Sequence, residues 1–126
     1  MNPIGFYRDK NDDLNVQGIK ISSLGEKYGT PLFIYDAGLM KERYDVFLDT
    51  VKDVKGNIHY AVKANDALSI ISYFAKLGCG ADIVSIGEFE KCVAAGMSPQ
   101  KIIFSGVGKD KHEIEFALKN NILQFN

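Results

Sequence analysis

The chain has 126 residues, 46% of them hydrophobic and 25% charged, and it carries a formal net charge of −1. That size allows one modest domain, and the even charge balance gives no electrostatic reason to bind nucleic acid or an anionic membrane surface. No apolar stretch approaches the roughly 20 residues of a membrane span and the N-terminus lacks a signal-peptide pattern, so the expectation is a cytoplasmic protein.

In chain order, the first 21 residues read as irregular or strand structure with a polar turn around Asn11-Asp12-Asp13. A short helix is predicted near 22–28, capped by Ser23 with Glu26 three residues on, followed by a strand over 32–35. Residues 39–53 form a longer predicted helix with Met40, Tyr44, Phe47, Leu48 and Val51 on one face. From residue 57 onward the pattern alternates. Strands are predicted over 58–64, 81–85, 102–105 and 122–125, with helices over 67–77, 86–95 and 110–120. Asp110 reads as an N-cap with Glu113 three residues on, and Gly78 and Gly96 stop the two preceding helices.

The strand ends fall roughly 20 residues apart, the spacing of consecutive β/α units, which implies a parallel sheet. Either an open doubly wound sheet or part of a (β/α)8 barrel fits, and periodicity alone does not choose. In a half-barrel, Val84, Ile103 and Phe125 are expected to face inward. Cys79 and Cys92 are read as packing residues, because a reducing cytosol disfavours disulfides and neither His59 nor His112 lies at ligand spacing from them.

The segment carrying most chemistry is His59-Tyr60-Ala61-Val62-Lys63-Ala64-Asn65, a lysine at the end of an apolar strand just before a helix. Strand alternation puts His59, Ala61 and Lys63 on one face, and the small Ala61 leaves room for a flat molecule beside the amine. A lysine so placed loses its proton more readily and attacks carbonyls, which is Schiff-base chemistry. A lysine snorkelling from a strand end is the structural alternative. Lys63, Asp82 to Ser85, Ser105 to Gly108 and Asn126 all fall at predicted strand ends or just beyond, around one mouth. Asp82 is either a carboxylate that tunes the amine or a solvent-facing residue. Ser85 and Glu88 fit the Ser-x-x-Glu capping box, and Glu88 can in addition orient groups near the mouth. Gly106-Val107-Gly108-Lys109 lacks the Walker spacing and reads as a tight strand-to-helix turn rather than a phosphate loop.

The lysine segment resembles the cofactor-lysine motif of the fold-type III pyridoxal-phosphate enzymes. Three further stretches narrow the likeness: Tyr28-Gly29-Thr30-Pro31-Leu32-Phe33-Ile34-Tyr35-Asp36, Gly80-Ala81-Asp82-Ile83-Val84-Ser85-Ile86-Gly87-Glu88 and Lys101-Ile102-Ile103-Phe104-Ser105-Gly106-Val107-Gly108-Lys109. In order and spacing they are similar to the diaminopimelate decarboxylases from about residue 18 onward. Alanine racemases are less similar, because their lysine motif runs into a Tyr-Gly-His-Gly type segment where this chain has Asp66-Ala67-Leu68-Ser69.

The resemblance implies an α/β fold: the N-terminal part of an alanine-racemase-like (β/α)8 barrel, truncated after about four of its strands. Residues 1–36 would contribute to a β-domain completed later in the full-length enzyme, and 37–126 would form the first half of the cofactor-binding barrel. It implies a pyridoxal 5′-phosphate-dependent decarboxylase that converts meso-2,6-diaminopimelate to L-lysine and CO2 in lysine biosynthesis. Lys63 is then the catalytic Schiff-base lysine, Asp82 a cofactor contact, Ser85 and Glu88 weaker candidates, and no metal is expected. The expected partners are an amino-acid substrate and, at full length, a second copy in a homodimer. The family's phosphate- and substrate-binding residues have no counterpart before Asn126, so this chain alone is expected to be inactive. A related decarboxylase of ornithine, lysine, arginine or carboxynorspermidine, or a non-catalytic cofactor-binding domain, are the alternative readings.

Overall fold

The computed structural model describes residues 4–54 and 56–126, and the chain divides into two compact units, Met1–Asp53 and Val54–Asn126.

The first unit opens with an antiparallel meander of β1 (Phe6–Arg8), β2 (Leu14–Val16) and β3 (Ile19–Lys20). In the polar turn between β1 and β2, the Asp9 carboxylate accepts the N–H groups of Asn11 at 2.8 Å and Asp13 at 3.1 Å. The β2–β3 connection is the two-residue loop Gln17-Gly18, with φ of 50° and 80°. Positive φ at both positions is the signature of the hairpin turn whose twist matches its strands. Helix α1 (Ile21–Tyr28) follows directly, with Lys20 at its N-cap and no side-chain cap. Ser23, the predicted cap, lies inside the helix, where its hydroxyl donates to the Lys20 carbonyl at 2.7 Å. The predicted strand over 32–35 does not form, because none of the three strands of this unit's sheet pairs with it. Helix α2 (Ala37–Thr50) starts earlier than predicted because Asp36 caps it, accepting from the Gly38 and Leu39 N–H groups. Its apolar face is not sealed: Met40, Tyr44 and Val51 are half-buried, and Phe47 and Leu48 are exposed.

The second unit is a four-stranded parallel sheet of β4 (His59–Ala61), β5 (Gly80–Ile83), β6 (Ile102–Phe104) and β7 (Gln124–Phe125), ordered as in the chain. Helices α3 (Leu68–Lys76), α4 (Ile86–Ala94) and α5 (Lys111–Lys119) connect them. Ala61, Asp82, Ile103 and Gln124 pair in succession across the sheet, each 21 residues beyond the last. On one face Tyr60, Ala81, Ile83, Ile102, Phe104 and Phe125 pack with Ile71, Phe89, Cys92, Phe116 and Ala117 from the three helices. Alternation assigns His59, Ala61, Asp82, Ile103 and Gln124 to the opposite face, and none of them belongs to that core. Helices on a single face and strands in sequence order, without a switch point, make this a segment of a barrel wall rather than a doubly wound sheet. Phe125, expected to face inward, lies on the helix-covered side, because its register partner is Phe104 and the two rings stack at 6.3 Å.

Candidate active site

Lys63 leaves the backbone from a turn, not from a pleat. Strand β4 ends at Ala61, and Val62–Ala64 is a single 3-10 turn, shorter than the strand predicted over 58–64. The face shared by Ala61 and Lys63 in the sequence reading therefore stops at Ala61. Val62, beside the lysine, is sealed in the core at 0% exposure. Lys63 itself is exposed, and its amine has no hydrogen bond or ion pair among the described residues. The turn is tied on its far side. The Asn65 N–H donates to the Val62 carbonyl and the Tyr60 hydroxyl donates to the Asn65 carbonyl, both at 3.0 Å. The Asn65 side-chain oxygen accepts from the Ala67 N–H at 3.0 Å, and Asp66 pairs with Lys91 of α4. That ammonium holds the Asp66 carboxyl below the usual carboxylate range.

Asp82 sits on β5 beside Ala61, half-buried, on the face away from the helices. Its carboxylate accepts a hydrogen bond from the Ser105 hydroxyl just beyond β6. The sequence reading did not pair these two residues, although a signal was present. One 21-residue strand step from Asp82 plus two residues along the strand reaches Ser105 on the same face. Ser85 caps α4 by accepting from the Glu88 N–H at 3.2 Å. Glu88 does not return to the Ser85 N–H, as a full capping box requires. It accepts from the Val84 N–H at 2.8 Å and so fastens the β5–α4 loop one residue earlier.

Gly106-Val107-Gly108-Lys109 forms the strand-to-helix turn. The Lys109 ammonium donates to the carbonyls of Gly106 at 2.6 Å and Asn126 at 2.7 Å, so it serves the backbone and not an anion. A Cβ on Gly106 would fall 2.6 Å from the Val84 carbonyl oxygen, which explains the glycine where the β5 and β6 ends pass. A separate hollow of about 80 Å³, lined by Asn57, His59, Gly80, Gln100, Lys101 and Leu123, opens at the opposite, N-terminal ends of the strands. Cys79 and Cys92 are buried, and burial pushes both thiols up to about 11, so they are inert packing groups at neutral pH.

A family model described as the pyridoxal binding domain of pyridoxal-dependent decarboxylases matches residues 37–126. The diaminopimelate decarboxylase of Vibrio cholerae is 40% identical over 121 residues, which are 96% of this chain and 29% of that protein. That of Helicobacter pylori is 50% identical over 103 residues, 82% of this chain and 25% of that protein. The chain thus spans less than a third of the length of these relatives. Among solved structures, diaminopimelate decarboxylase from M. jannaschii in complex with L-lysine matches with a TM-score of 0.89 at 35% identity, covering 96% of this chain and 29% of that one. A lysine/ornithine decarboxylase from Vibrio vulnificus shares the fold, with a TM-score of 0.76 at 23% identity over 83% of this chain and 28% of that one. The family match runs from the first residue of α2 through all four parallel strands, with the lysine turn and the Asp82 strand inside it, and by that match the chain belongs to the pyridoxal-dependent decarboxylases.

Proposed function

We propose that this chain is the lysine-bearing part of an enzyme that decarboxylates meso-2,6-diaminopimelate to L-lysine and CO2, a step of lysine biosynthesis, with pyridoxal 5′-phosphate as cofactor. The observation that carries the reading is Lys63, an exposed amine with no hydrogen bond or ion pair among the described residues, on a tied turn at the C-terminal end of the first parallel strand. Relatives at 40% and 50% identity that are named for diaminopimelate favour it over ornithine or arginine, and the M. jannaschii relative holds L-lysine, the product of this reaction.

The donor set fits the cofactor. It offers a primary amine for a carbonyl carbon, a half-buried carboxylate oriented by a serine hydroxyl, and an alanine beside that carboxylate where a larger side chain would take up space. When bound, the cofactor supplies that carbonyl carbon and a conjugated ring that takes up the electron pair left as CO2 departs. Lys63 would hold it through Nζ, and the free amine would serve to take up or give back a proton. Asp82 presents its carboxyl group on the inner face, with the Ser105 hydroxyl fixing its orientation. Ser85 and Glu88 hold the loop that carries β5 into α4, which keeps that end of the sheet in one shape.

On the same reading, residues 1–36 contribute to a β-domain and 37–126 to the first half of a barrel. The phosphate and substrate contacts come from the rest of a longer, cytoplasmic, homodimeric protein, and these 126 residues alone do not turn over substrate. The test is made in that full-length protein. Borohydride reduction with cofactor bound should fix one label on Lys63, and Lys63→Ala should lower decarboxylation by about 10²–10⁴-fold. A label mapped to Lys76, Lys101 or Lys109 would overturn the assignment.

A further inference from the structure

We infer that the Tyr60 hydroxyl is a positioning group for Lys63: it holds the lysine-bearing turn in the one shape that presents the amine, a role that rests on the reading of Lys63 above. Tyr60 is the middle residue of β4, and its ring points to the helix side and stacks on Phe74 of α3, with centroids 4.4 Å apart and planes 17° from parallel. A phenylalanine would fill that space as well. What the hydroxyl adds is a bond across the turn, donated to the Asn65 carbonyl at 3.0 Å. Lys63 lies inside the loop that this bond closes.

On the near side the backbone is fixed by β4 and by Val62, which has no exposure. On the far side the Asn65 N–H binds the Val62 carbonyl and Tyr60 takes the Asn65 carbonyl, so both polar groups of the Asn65 backbone are tied to the strand end. The lysine side chain is thus the free part of an otherwise fixed turn. A nucleophile on a fixed backbone samples fewer positions than one on a loose loop, and that preorganisation favours attack on a bound carbonyl. The role assigned to the hydroxyl runs through the turn, by its bond to the Asn65 carbonyl.

The test uses the full-length protein and pyridoxal 5′-phosphate with cyanoborohydride, and reads labelling at each lysine of this part by peptide mass. The exposed Lys76 and Lys119 serve as internal standards, since any exposed lysine reacts slowly with the aldehyde. The parent should label Lys63 faster than either standard, and Tyr60→Phe should lower that preference about fivefold, the factor expected for one neutral hydrogen bond. Phe74→Leu loosens the same ring packing but keeps the hydroxyl. It should lower the melting temperature and leave the Lys63 preference unchanged, which a merely structural role for Tyr60 does not predict. An equal Lys63 preference in the parent and in Tyr60→Phe overturns this inference and leaves the proposed function intact. No preference at Lys63 in the parent overturns both.

Discussion

The two units are stabilised by different means. In Val54–Asn126 three helices seal one face of a sheet, and Ile71, Ala81, Ile83, Cys92 and Ile102 have 0% exposure. In Met1–Asp53 the only buried apolar side chain among the described residues is Val16, at 5% exposure, and the other buried side chains are the polar Asn15 and Asp36. What replaces a core there is the Asp36 carboxylate. It accepts from the Gly5 N–H at 2.7 Å, the Gln17 amide at 2.9 Å, the Gly38 N–H at 2.8 Å and the Leu39 N–H at 3.2 Å. Burial alone pushes this carboxyl up, but the four donors together outweigh it and hold the group below its ordinary value. A region built on burial depends on volume, whereas a region built on one carboxylate depends on charge. The candidate chemistry sits on the first kind, which suits a site that must keep its geometry.

The largest expected effect comes from removing volume. Phe104 is 1% exposed and lies at the centre of the second unit's core. Phe104→Ala should cost about 3–5 kcal/mol in urea unfolding of that unit. Cys79 and Cys92 report on it directly, because thiols held at about 11 react with thiolate-selective reagents only when the unit opens. The same pair sets an alkaline limit. The ordinary thiol value is 9.0, so between that and about 11 the unfolded chain loses protons that the folded unit keeps, and stability falls as pH rises. Labelling no faster in Phe104→Ala than in the parent would remove the contrast between the units.

Next in size is the charge at Asp36. Asp36→Ala removes a helix N-cap and the acceptor of two further donors, and should cost the first unit about 2–4 kcal/mol. The pH dependence has a definite sign. A carboxyl held below its ordinary value of 3.8 stabilises the folded form above that value, and the contribution disappears as pH falls through the lower folded value. Amide exchange at Gly5 and Leu39 should therefore lose protection in acid before the amides of β5 and β6 do. Asp36→Ala should leave those two amides poorly protected at every pH and so abolish the acid step, and simultaneous loss in both units at all pH values would mean that they share one source of stability.

The second unit was the legible one. Its strands and helices repeat at a fixed interval, the apolar stripes mark the helix faces, and Gly78 and Gly96 end two helices as the pattern predicts. The four motifs pointed to a pyridoxal-phosphate decarboxylase, and the chain belongs to the pyridoxal-dependent decarboxylases. What the pattern left open, barrel or doubly wound sheet, depends on which face the helices cover, and one strand's sequence does not contain that. The turn at Lys63 was missed for a related reason: β4 carries apolar residues past its own end, so the pattern cannot say where the pleat stops. In the first unit the hydrophobic pattern misled. The stripe on α2 predicted a sealed face that this unit does not form, and the predicted strand over 32–35 finds no partner in its sheet. Asp36 as a cap was readable in principle, as an aspartate directly before the helix, but its two long-range donors, Gly5 and Gln17, were not.

The smallest expected effects separate two caps inside the second unit. Asp110 and Glu113 make a complete capping box on α5, with the Asp110 carboxylate accepting from the Glu113 N–H at 2.8 Å and the Glu113 carboxylate accepting in return from the Asp110 N–H at 3.3 Å. Ser85 makes only half a box on α4, because Glu88 is engaged by the Val84 N–H. Asp110→Ala loses an acceptor, releases Glu113 and removes a negative charge from a helix N-terminus, and should cost about 1–2 kcal/mol. Ser85→Ala loses one neutral acceptor while Glu88 keeps its hold on the loop, and should cost about 0.5–1 kcal/mol. Both are measured by urea unfolding. Because this unit rests on buried volume, neither cap should approach the loss from Phe104→Ala. If either does, polar contacts carry the second unit as they carry the first. If Ser85→Ala proves the costlier of the two, Glu88 depends on that cap, and its bond to Val84 is a consequence of the Ser85 geometry and not an independent fastening.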